Sequence, residues 1–423
     1  MTSSTLQPAI SVLPSKKTSI ILSVIAVIVF LCFGLMGNND SAHFQLNSAG
    51  DAFKLPELVF PGKASNIVIG LLLLGIAAYS WIQRKKGQTL ATWMIAIAAI
   101  LFVLSFLIWV VSGADITTIS LASLLAGAVV LAVPLVFGSL SGVLCERAGV
   151  VNIAIEGQLL GGAFTAALVS SLTKNAFLGL IAAGIAGALV SLVLALFSIK
   201  YVVNQIIVGV VLNVLVSGIT GFLFTTVMQE DPELFNSPVH LPVIEIPLLS
   251  AIPVLGPILF KQSVIGYLMY LAVFIVWFGL FKTKWGLRVR AVGEHPKAAD
   301  TLGIKVNRTR FWNVTLGGIV AGIGGSFFTL VAIDSFTKEI SGGRGFIALA
   351  AVIFGRWNPI GAFLAALLFG FADNLQVILT IIGTPVPSQF MAMMPYLVTI
   401  FAVAGLVGRS RGPAAAGEPY VKE

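Results

Sequence analysis

Long apolar runs recur along the chain, separated by short polar segments. Most approach or exceed the roughly 20 residues that an α-helix needs to cross a bilayer, and they are continuous, unlike the alternating strands of a β-barrel. Spanning helices are predicted over residues 19–36, 64–82, 90–111, 116–144, 153–172, 176–199, 206–228, 264–281, 311–333, 360–382 and 393–407. The apolar segment 346–354 is too short to span alone and predicts a short or re-entrant helix. The pattern therefore predicts an all-α polytopic membrane protein with about 11–12 transmembrane helices, the short segment included.

Composition favours the same class. Hydrophobic residues occupy 58% of the 423 positions and charged residues only 10%, whereas a soluble domain carries about 25% charged residues. With so few charges, the outer surface must face lipid. The formal net charge of +8 comes from basic residues in short segments between the apolar runs, so it indicates topology and not nucleic-acid binding.

The basic residues also orient the chain, because cytoplasmic loops of membrane proteins carry an excess of lysine and arginine. Lys16 and Lys17 precede the first run, and segment 282–310 is the most charged part of the sequence. The N-terminus, segment 282–310 and the C-terminus are predicted to be cytoplasmic. The loop 229–261, which contains Glu230 and Asp231, is predicted to lie outside.

No enzyme site is predicted. A Walker A loop needs G-x-x-x-x-G-K-[ST], and the only Gly-Lys pair, Gly62-Lys63, is followed by Ala64. There is no HExxH motif, and Cys32 and Cys145 lie in apolar surroundings without a CxxC spacing, which indicates inert thiols and no metal site. The chain is therefore expected to bind no cofactor of its own.

The loop 286–304 predicts one short amphipathic helix between two spans. Pro296 suits the first turn of a helix, residues 297–302 favour helix, and Gly303 suits its end. A rigid, exposed helix can dock into a groove on another protein. An ordinary solvated loop with orientation charges explains the residues equally well, so both interpretations stay open.

Polar residues inside predicted spans are candidates for a solute pathway: Asn152, Glu156, Asn213, Asn374 and Gln376. Glu156 follows Asn152 by four residues, which predicts a shared helix face. Amides offer both donors and acceptors that match a polar solute such as a ribose or a nucleobase. The alternative is hydrogen bonding between helices, and for Glu156 that structural interpretation is preferred.

Small residues recur at helix-packing spacing in the span 311–333. Gly318 with Gly322, and Ala321 with Gly325, form two small-xxx-small pairs. Such pairs let helix backbones approach closely, and tight packing is favoured over a hinge or gate.

Three segments resemble a known family. Residues 146–158 (ERAGVVNIAIEGQ), 286–303 and 354–359 (FGRWNP) are similar to ABC importer permeases of the ribose and branched-chain amino acid permease family. The first segment most resembles the nucleoside (simple sugar/nucleoside) type. The Ala298-Ala299…Gly303 core resembles the EAA loop of such permeases, with Lys297 where a glutamate usually stands. The resemblance covers residues 121–408 and leaves out the first three spans.

The resemblance implies a permease subunit of an ATP-driven ABC importer, located as a multi-pass protein in a bacterial-type plasma (inner) membrane. The solute implied is a nucleoside, with ribose, other simple sugars or branched-chain amino acids as alternatives. The implied partners are a cytoplasmic ABC ATPase that binds ATP, a second permease subunit, the same or homologous, and an extracellular solute-binding protein. The helix near 297–302 is then the coupling helix, with these ATPase-coupling residues: Glu294, Pro296, Lys297, Ala298, Ala299, Asp300 and Gly303.

A different class, the ion-coupled secondary transporter, predicts inverted repeats and a midplane ion site. No clear repeat is visible in the sequence. The predicted organisation is an N-terminal extension over 1–115 with three spans, a permease core over 116–410 that includes the coupling loop 282–310, and a cytoplasmic tail over 411–423.

Overall fold

A computed structural model describes residues 15–46, 55–384, 389–390, 393 and 412–422. Within those residues, ten helices are long and apolar enough to cross a membrane. They are α1 (Lys17–Leu35), α2 (Gly62–Lys85), α3 (Thr92–Ser112), α4 (Leu121–Arg147), α5 (Ile155–Thr173), α6 (Ala176–Lys200), α7 (Gln205–Met228), α9 (Val264–Lys282), α12 (Val306–Ala332) and α14 (Pro359–Ile381). The remaining helices are α8 (Pro232–Phe235), α10 (Lys284–Glu294), α11 (Pro296–Thr301) and the short apolar α13 (Arg344–Phe354).

The all-α polytopic prediction is confirmed, including the short helix near 346–354. The last predicted span, 393–407, lies outside the described residues apart from Met393. Several helices run past their apolar runs into polar flanks. For example, α12 begins at Val306 and not near residue 311, because helical hydrogen bonds do not stop where hydropathy does.

One compact unit comprises Met1–Leu121 with Gln376–Ala392. It holds α1 to α3 and a three-stranded sheet of order β2-β1-β3, formed by β1 (Ser41–Gln45), β2 (Leu58–Pro61) and β3 (Thr118–Ser120). β1 pairs antiparallel with β2 and parallel with β3. The predicted start of the fourth span at residue 116 is therefore wrong. Thr118, Ile119 and Ser120 form a strand, which suits the two β-branched residues, and α4 begins only at Leu121.

The second compact unit comprises Ala122–Leu375 with Met393–Glu423. At its centre α5, α6 and α12 pack with almost no side chain between their backbones. A Cβ atom built on Gly322 would lie 2.1 Å from the carbonyl oxygen of Ala183, and one on Gly187 would lie 2.1 Å from that of Gly318. The predicted tight packing of small residues is confirmed here.

The loop 229–261 is more ordered than its sequence indicates. It contains α8 and strand β4 (Val243–Glu245), which pairs antiparallel with β5 (Lys261–Ser263) just before α9. The N–H of Leu241 donates to the carbonyl oxygen of Leu330 at 2.9 Å, so the loop is fixed to the end of α12.

Candidate functional site

The candidate coupling segment forms two short helices joined at His295. α10 begins after Thr283, whose hydroxyl accepts a hydrogen bond from the N–H of Gly286 at 3.1 Å. α11 starts with Pro296 and ends at Thr301, and the left-handed Gly303, whose φ is 79°, follows two residues later. The N–H of Ile304 reaches back to the carbonyl oxygen of Ala299 at 3.1 Å. The predicted helix after Pro296 and its glycine stop are confirmed.

Sequence reasoning missed α10. Its buried positions Gly286, Val289, Val292 and Gly293 recur at helical spacing, and Thr283 is a typical N-cap residue, so the signal was present. We call α10, α11 and the turn 302–304 the elbow.

The elbow presents one face to its own core and leaves another open. Ala299 is only 1% exposed and packs against Val292 and Val306. Lys297 and Ala298 are exposed, and Leu302 is 81% exposed at the end of α11. A short, fixed helix that presents an open face can dock into a groove on another protein.

The seven residues predicted for ATPase coupling divide between these two faces. Lys297, Ala298 and Gly303 are exposed. The side chain of Asp300 lies 3.6 Å from the Lys422 ammonium, and that of Glu294 accepts a hydrogen bond from the N–H of Ala414. Ala299 and Pro296 hold the elbow together, through packing and through the start of α11. Their role in coupling stays a prediction.

Two of the segments that carry the family resemblance meet in space. At the end of α4, the carboxylate of Glu146 accepts a hydrogen bond from the indole N–H of Trp357. Arg147 Nε donates to the carbonyl oxygen of Trp357 at 2.8 Å, and its Nη2 to that of Arg356 at 3.4 Å. Arg356 and Trp357 both have positive φ, near 54° and 53°. Arg147 thus stabilises an uncommon turn between α13 and α14.

The elbow also contacts the end of α4, where Glu146 and Arg147 bind the turn between α13 and α14. A Cβ atom on Gly293 would lie 2.2 Å from the carbonyl oxygen of Arg147, so α10 contacts the end of α4 backbone to backbone. The guanidinium groups of Arg147 and Arg290 lie 5.7 and 5.1 Å from the ring centre of Phe281, at the end of α9. Sequence reasoning used Glu146, Arg147 and Trp357 only as resemblance markers and did not pair them.

Asn152 belongs to a fully buried polar cluster. Its amide exchanges two hydrogen bonds with the amide of Gln158, at 3.1 and 3.2 Å, and also donates to the hydroxyl of Ser141. Gln158 donates in turn to Ser191 on α6 at 2.8 Å. The predicted helix face shared by Asn152 and Glu156 is wrong, because α5 begins only at Ile155 and Asn152 lies in the non-helical segment before it.

Glu156 caps the start of α13. Its carboxylate accepts hydrogen bonds from the hydroxyl of Ser341 at 2.6 Å and from the N–H groups of Gly343 at 2.8 Å and Gly345 at 2.6 Å. Gly345 is required here, since a Cβ atom on it would lie 2.4 Å from the backbone nitrogen of Glu156. This geometry agrees with the structural interpretation of Glu156.

The other candidate amides contact backbone groups. Asn213 accepts from the N–H of Gly157 at 2.8 Å and donates to the carbonyl oxygen of Ile153 at 2.9 Å, which joins α7 to the start of α5. Asn374 donates to the carbonyl oxygen of Leu124 at 2.7 Å. Gln376 is partly exposed and belongs to the first compact unit, whereas the other four candidates belong to the second. Their place in a solute pathway stays a prediction.

The Glu156 cap has a measurable consequence. Replacing Glu156 with Gln leaves one oxygen for three donors, so one buried N–H or O–H loses its partner, at a cost of about 1–3 kcal/mol. We expect a lower unfolding temperature in detergent solution. Glu233→Gln is the matched control because Glu233 is exposed in α8. Equal unfolding temperatures for the two variants would contradict the capping role.

The family described as "Branched-chain amino acid transport system / permease component" matches residues 123–403. Over 316 residues the chain is 42% identical to the guanosine ABC transporter permease protein NupQ of Bacillus subtilis (strain 168), covering 71% of this chain and 97% of the relative.

Two further relatives are similar over nearly their whole length. The chain is 38% identical to the nucleoside ABC transporter permease protein NupC of Lactococcus lactis subsp. cremoris (strain MG1363). The alignment covers 72% of this chain and 98% of the relative. The chain is 33% identical to the putative glucose ABC transporter permease protein TsgC13 of Haloferax volcanii. That alignment covers 71% of this chain and 98% of the relative. No solved structure gave a significant match.

The matched range contains the elbow and all three segments that carry the resemblance, whereas α1 to α3 lie before it. The family resemblance predicted from those segments is therefore confirmed. The chain belongs to the family of branched-chain amino acid transport system permease components.

Proposed function

We propose that the chain is the membrane-spanning permease subunit of an ATP-driven importer and that the elbow is its docking surface for a cytoplasmic ATPase. The observation that carries this proposal is the two-sided construction of α11. Its inner side packs on α10 and α12 through Ala299, and its outer side presents the exposed residues Ala298 and Leu302.

The elbow can also transmit a displacement of α11 to the membrane-spanning helices. α10 contacts the end of α4 without intervening side chains at Gly293, and the end of α4 is tied to the turn between α13 and α14 by Glu146 and Arg147. A displacement of α11 by an ATPase therefore reaches three other elements through short, rigid contacts. ATP binding and hydrolysis bias the permease between two states in this way.

The proposed orientation of the chain in the membrane follows from the ATPase-docking surface of the elbow. Docking to a cytoplasmic ATPase places the elbow inside the cell, which agrees with the basic character of segment 282–310. The loop 229–261 then lies outside, where it is available to a solute-binding protein. A second permease subunit, the same or homologous, completes the assembly.

A nucleoside is the proposed solute. The support is the similarity to relatives named for guanosine and nucleoside transport, at 42% and 38% identity over nearly their full length. Glucose is the second candidate, because the relative at 33% identity is named as a putative glucose permease protein.

The solute is tested by competition. The complete transporter, with its ATPase and binding protein, is reconstituted in liposomes, and uptake of radiolabelled guanosine is followed with ATP present. We expect unlabelled adenosine and uridine to compete, and glucose and leucine to have no effect. If glucose accumulates and guanosine does not, the nucleoside assignment is wrong and the importer assignment still holds.

A further inference from the structure

The carboxyl-terminal tail, residues 412–422, packs onto the elbow. The N–H of Ala415 donates to the carbonyl oxygen of Gly293 at 2.9 Å, and the N–H of Gly417 donates to that of Gly149 at 3.3 Å. Arg310 Nη1 donates to the carbonyl oxygen of Glu418 at 2.8 Å. Two backbone hydrogen bonds therefore join the tail to α10 and to the turn between α4 and α5, and the Arg310 side chain joins it to α12.

Side chains of the tail continue these contacts onto α11. Tyr420 is only 9% exposed and belongs to one buried cluster with Val292 of α10, Ala299 of α11 and Val306 of α12. The Lys422 ammonium lies 3.6 Å from a carboxylate oxygen of Asp300, although Lys422 itself is 72% exposed. Because such exposed pairs stabilise little, Tyr420 is the principal contact of the tail with α11.

α11 depends on contacts of this kind. It has only six residues, and an isolated helix of that length does not persist in water. One residue of α11, Ala299, is buried in the cluster that Tyr420 completes. Without the tyrosine ring, the inner side of α11 loses an aromatic neighbour and exposes apolar surface.

We propose that the tail is a strap that positions α11, with Tyr420 as its positioning residue, so that movement of α11 by the ATPase reaches the core helices. This inference rests on the proposed function of the elbow. The family match ends at residue 403, so the strap lies beyond the part of the chain that the family accounts for. The strap contacts α10, α11, α12 and the turn between α4 and α5, so a displacement of α11 is transmitted to the other three.

The test uses the complete transporter in liposomes, with Tyr420→Ala, the conservative variant Tyr420→Phe, and Glu418→Gln as the control. Glu418 lies in the same tail, but its side chain is exposed and only its carbonyl oxygen bonds to Arg310. The measurements are retention of the ATPase during purification, guanosine-stimulated ATP hydrolysis, and the number of ATP molecules used per guanosine.

Coupling between two sites typically amounts to about 5- to 150-fold, and we expect Tyr420→Ala to lower guanosine stimulation by about tenfold and to raise ATP use per guanosine. The ATPase stays bound, because the outer side of α11 is unchanged. Tyr420→Phe keeps the ring and restores coupling, and Glu418→Gln behaves as the wild type. If Tyr420→Ala does not reach the membrane, a chain that ends at Glu418 replaces it and the same loss is expected.

The results separate this inference from the proposed function. No ATP-dependent guanosine uptake by the wild type means that the proposed function has failed. A coupled wild type with an equally coupled Tyr420→Ala variant overturns the strap. A variant that retains less of the ATPase, while the fraction still bound stays fully coupled, also overturns it, because Tyr420 then serves docking and not positioning.

Discussion

Replacing Ala298 with tryptophan is expected to abolish ATP-driven uptake while the protein stays folded. Ala298 is exposed on the outer side of α11, so the indole is expected to extend into solvent and leave the core of this chain unchanged. In the docked complex the same ring would occupy space that belongs to the ATPase. Disrupting the centre of a packed interface costs about 2 kcal/mol or more, which corresponds to a loss of uptake of about 30-fold.

The measurement is guanosine uptake and ATPase stimulation by the reconstituted transporter, with protein folding checked by size-exclusion chromatography. Ala91→Trp is the control, because Ala91 is also an exposed alanine beside a helix, before α3, and lies outside the family match. Uptake at the wild-type rate by Ala298→Trp would show that α11 is not a docking surface.

Replacing Gly322 with alanine is expected to destabilise the fold severely. The new methyl group would lie 2.1 Å from the carbonyl oxygen of Ala183, and the backbone of α6 cannot move away without breaking its packing on α5 and α12. Overpacking commonly costs about 1–3 kcal/mol, and this contact with backbone is expected at the upper end of that range or above it.

Gly218→Ala is the matched control. Gly218 is also a helical glycine, in α7, but a Cβ atom there has no neighbour within 4 Å. Alanine is the better helix former by about 1 kcal/mol, so Gly218→Ala is expected to be neutral or slightly stabilising. The unfolding temperatures of both variants in detergent are compared with the wild type. A Gly322→Ala protein as stable as Gly218→Ala would refute the packing at the centre of the second unit.

The spanning helices were predictable because each depends on a local property, a long apolar run. A different local property, the conformational preference of single residues, located the proline start at Pro296 and the glycine stop at Gly303. The small-residue pairs at Gly318 and Gly322 were also local signals, since close helix approach needs small side chains at that spacing. The sequence thus predicted the class, most helix positions and the short helix that begins at Pro296.

Contacts between distant residues were not predictable. Glu146 and Trp357 are 211 positions apart, and no periodicity connects them. Residues 412–422 are rich in alanine, glycine and proline and indicated only a tail, yet tertiary contacts fix them on the elbow. Strand β3 was absorbed into a predicted span because Ile116 and Ile119 extend the apolar run of α4.

The polar residues proposed for the solute pathway show that residue type alone does not identify a solute-binding side chain. Asn213 and Asn374 have the donors and acceptors that a nucleoside needs, but in the structure their amides bond to backbone groups of neighbouring helices. Residue type identifies a polar group inside the bundle and does not say whether that group faces a partner helix or a solute. Only the positions of the other helices decide this.

We propose that this chain moves its solute with energy received through the elbow. The direct measurement is accumulation of guanosine in liposomes that contain the permease, its ATPase and its binding protein. We expect accumulation against a gradient only with hydrolysable ATP, and none with a non-hydrolysable analogue or with an imposed proton or sodium gradient. Accumulation driven by an ion gradient through the permease alone would show that the energy does not come from an ATPase.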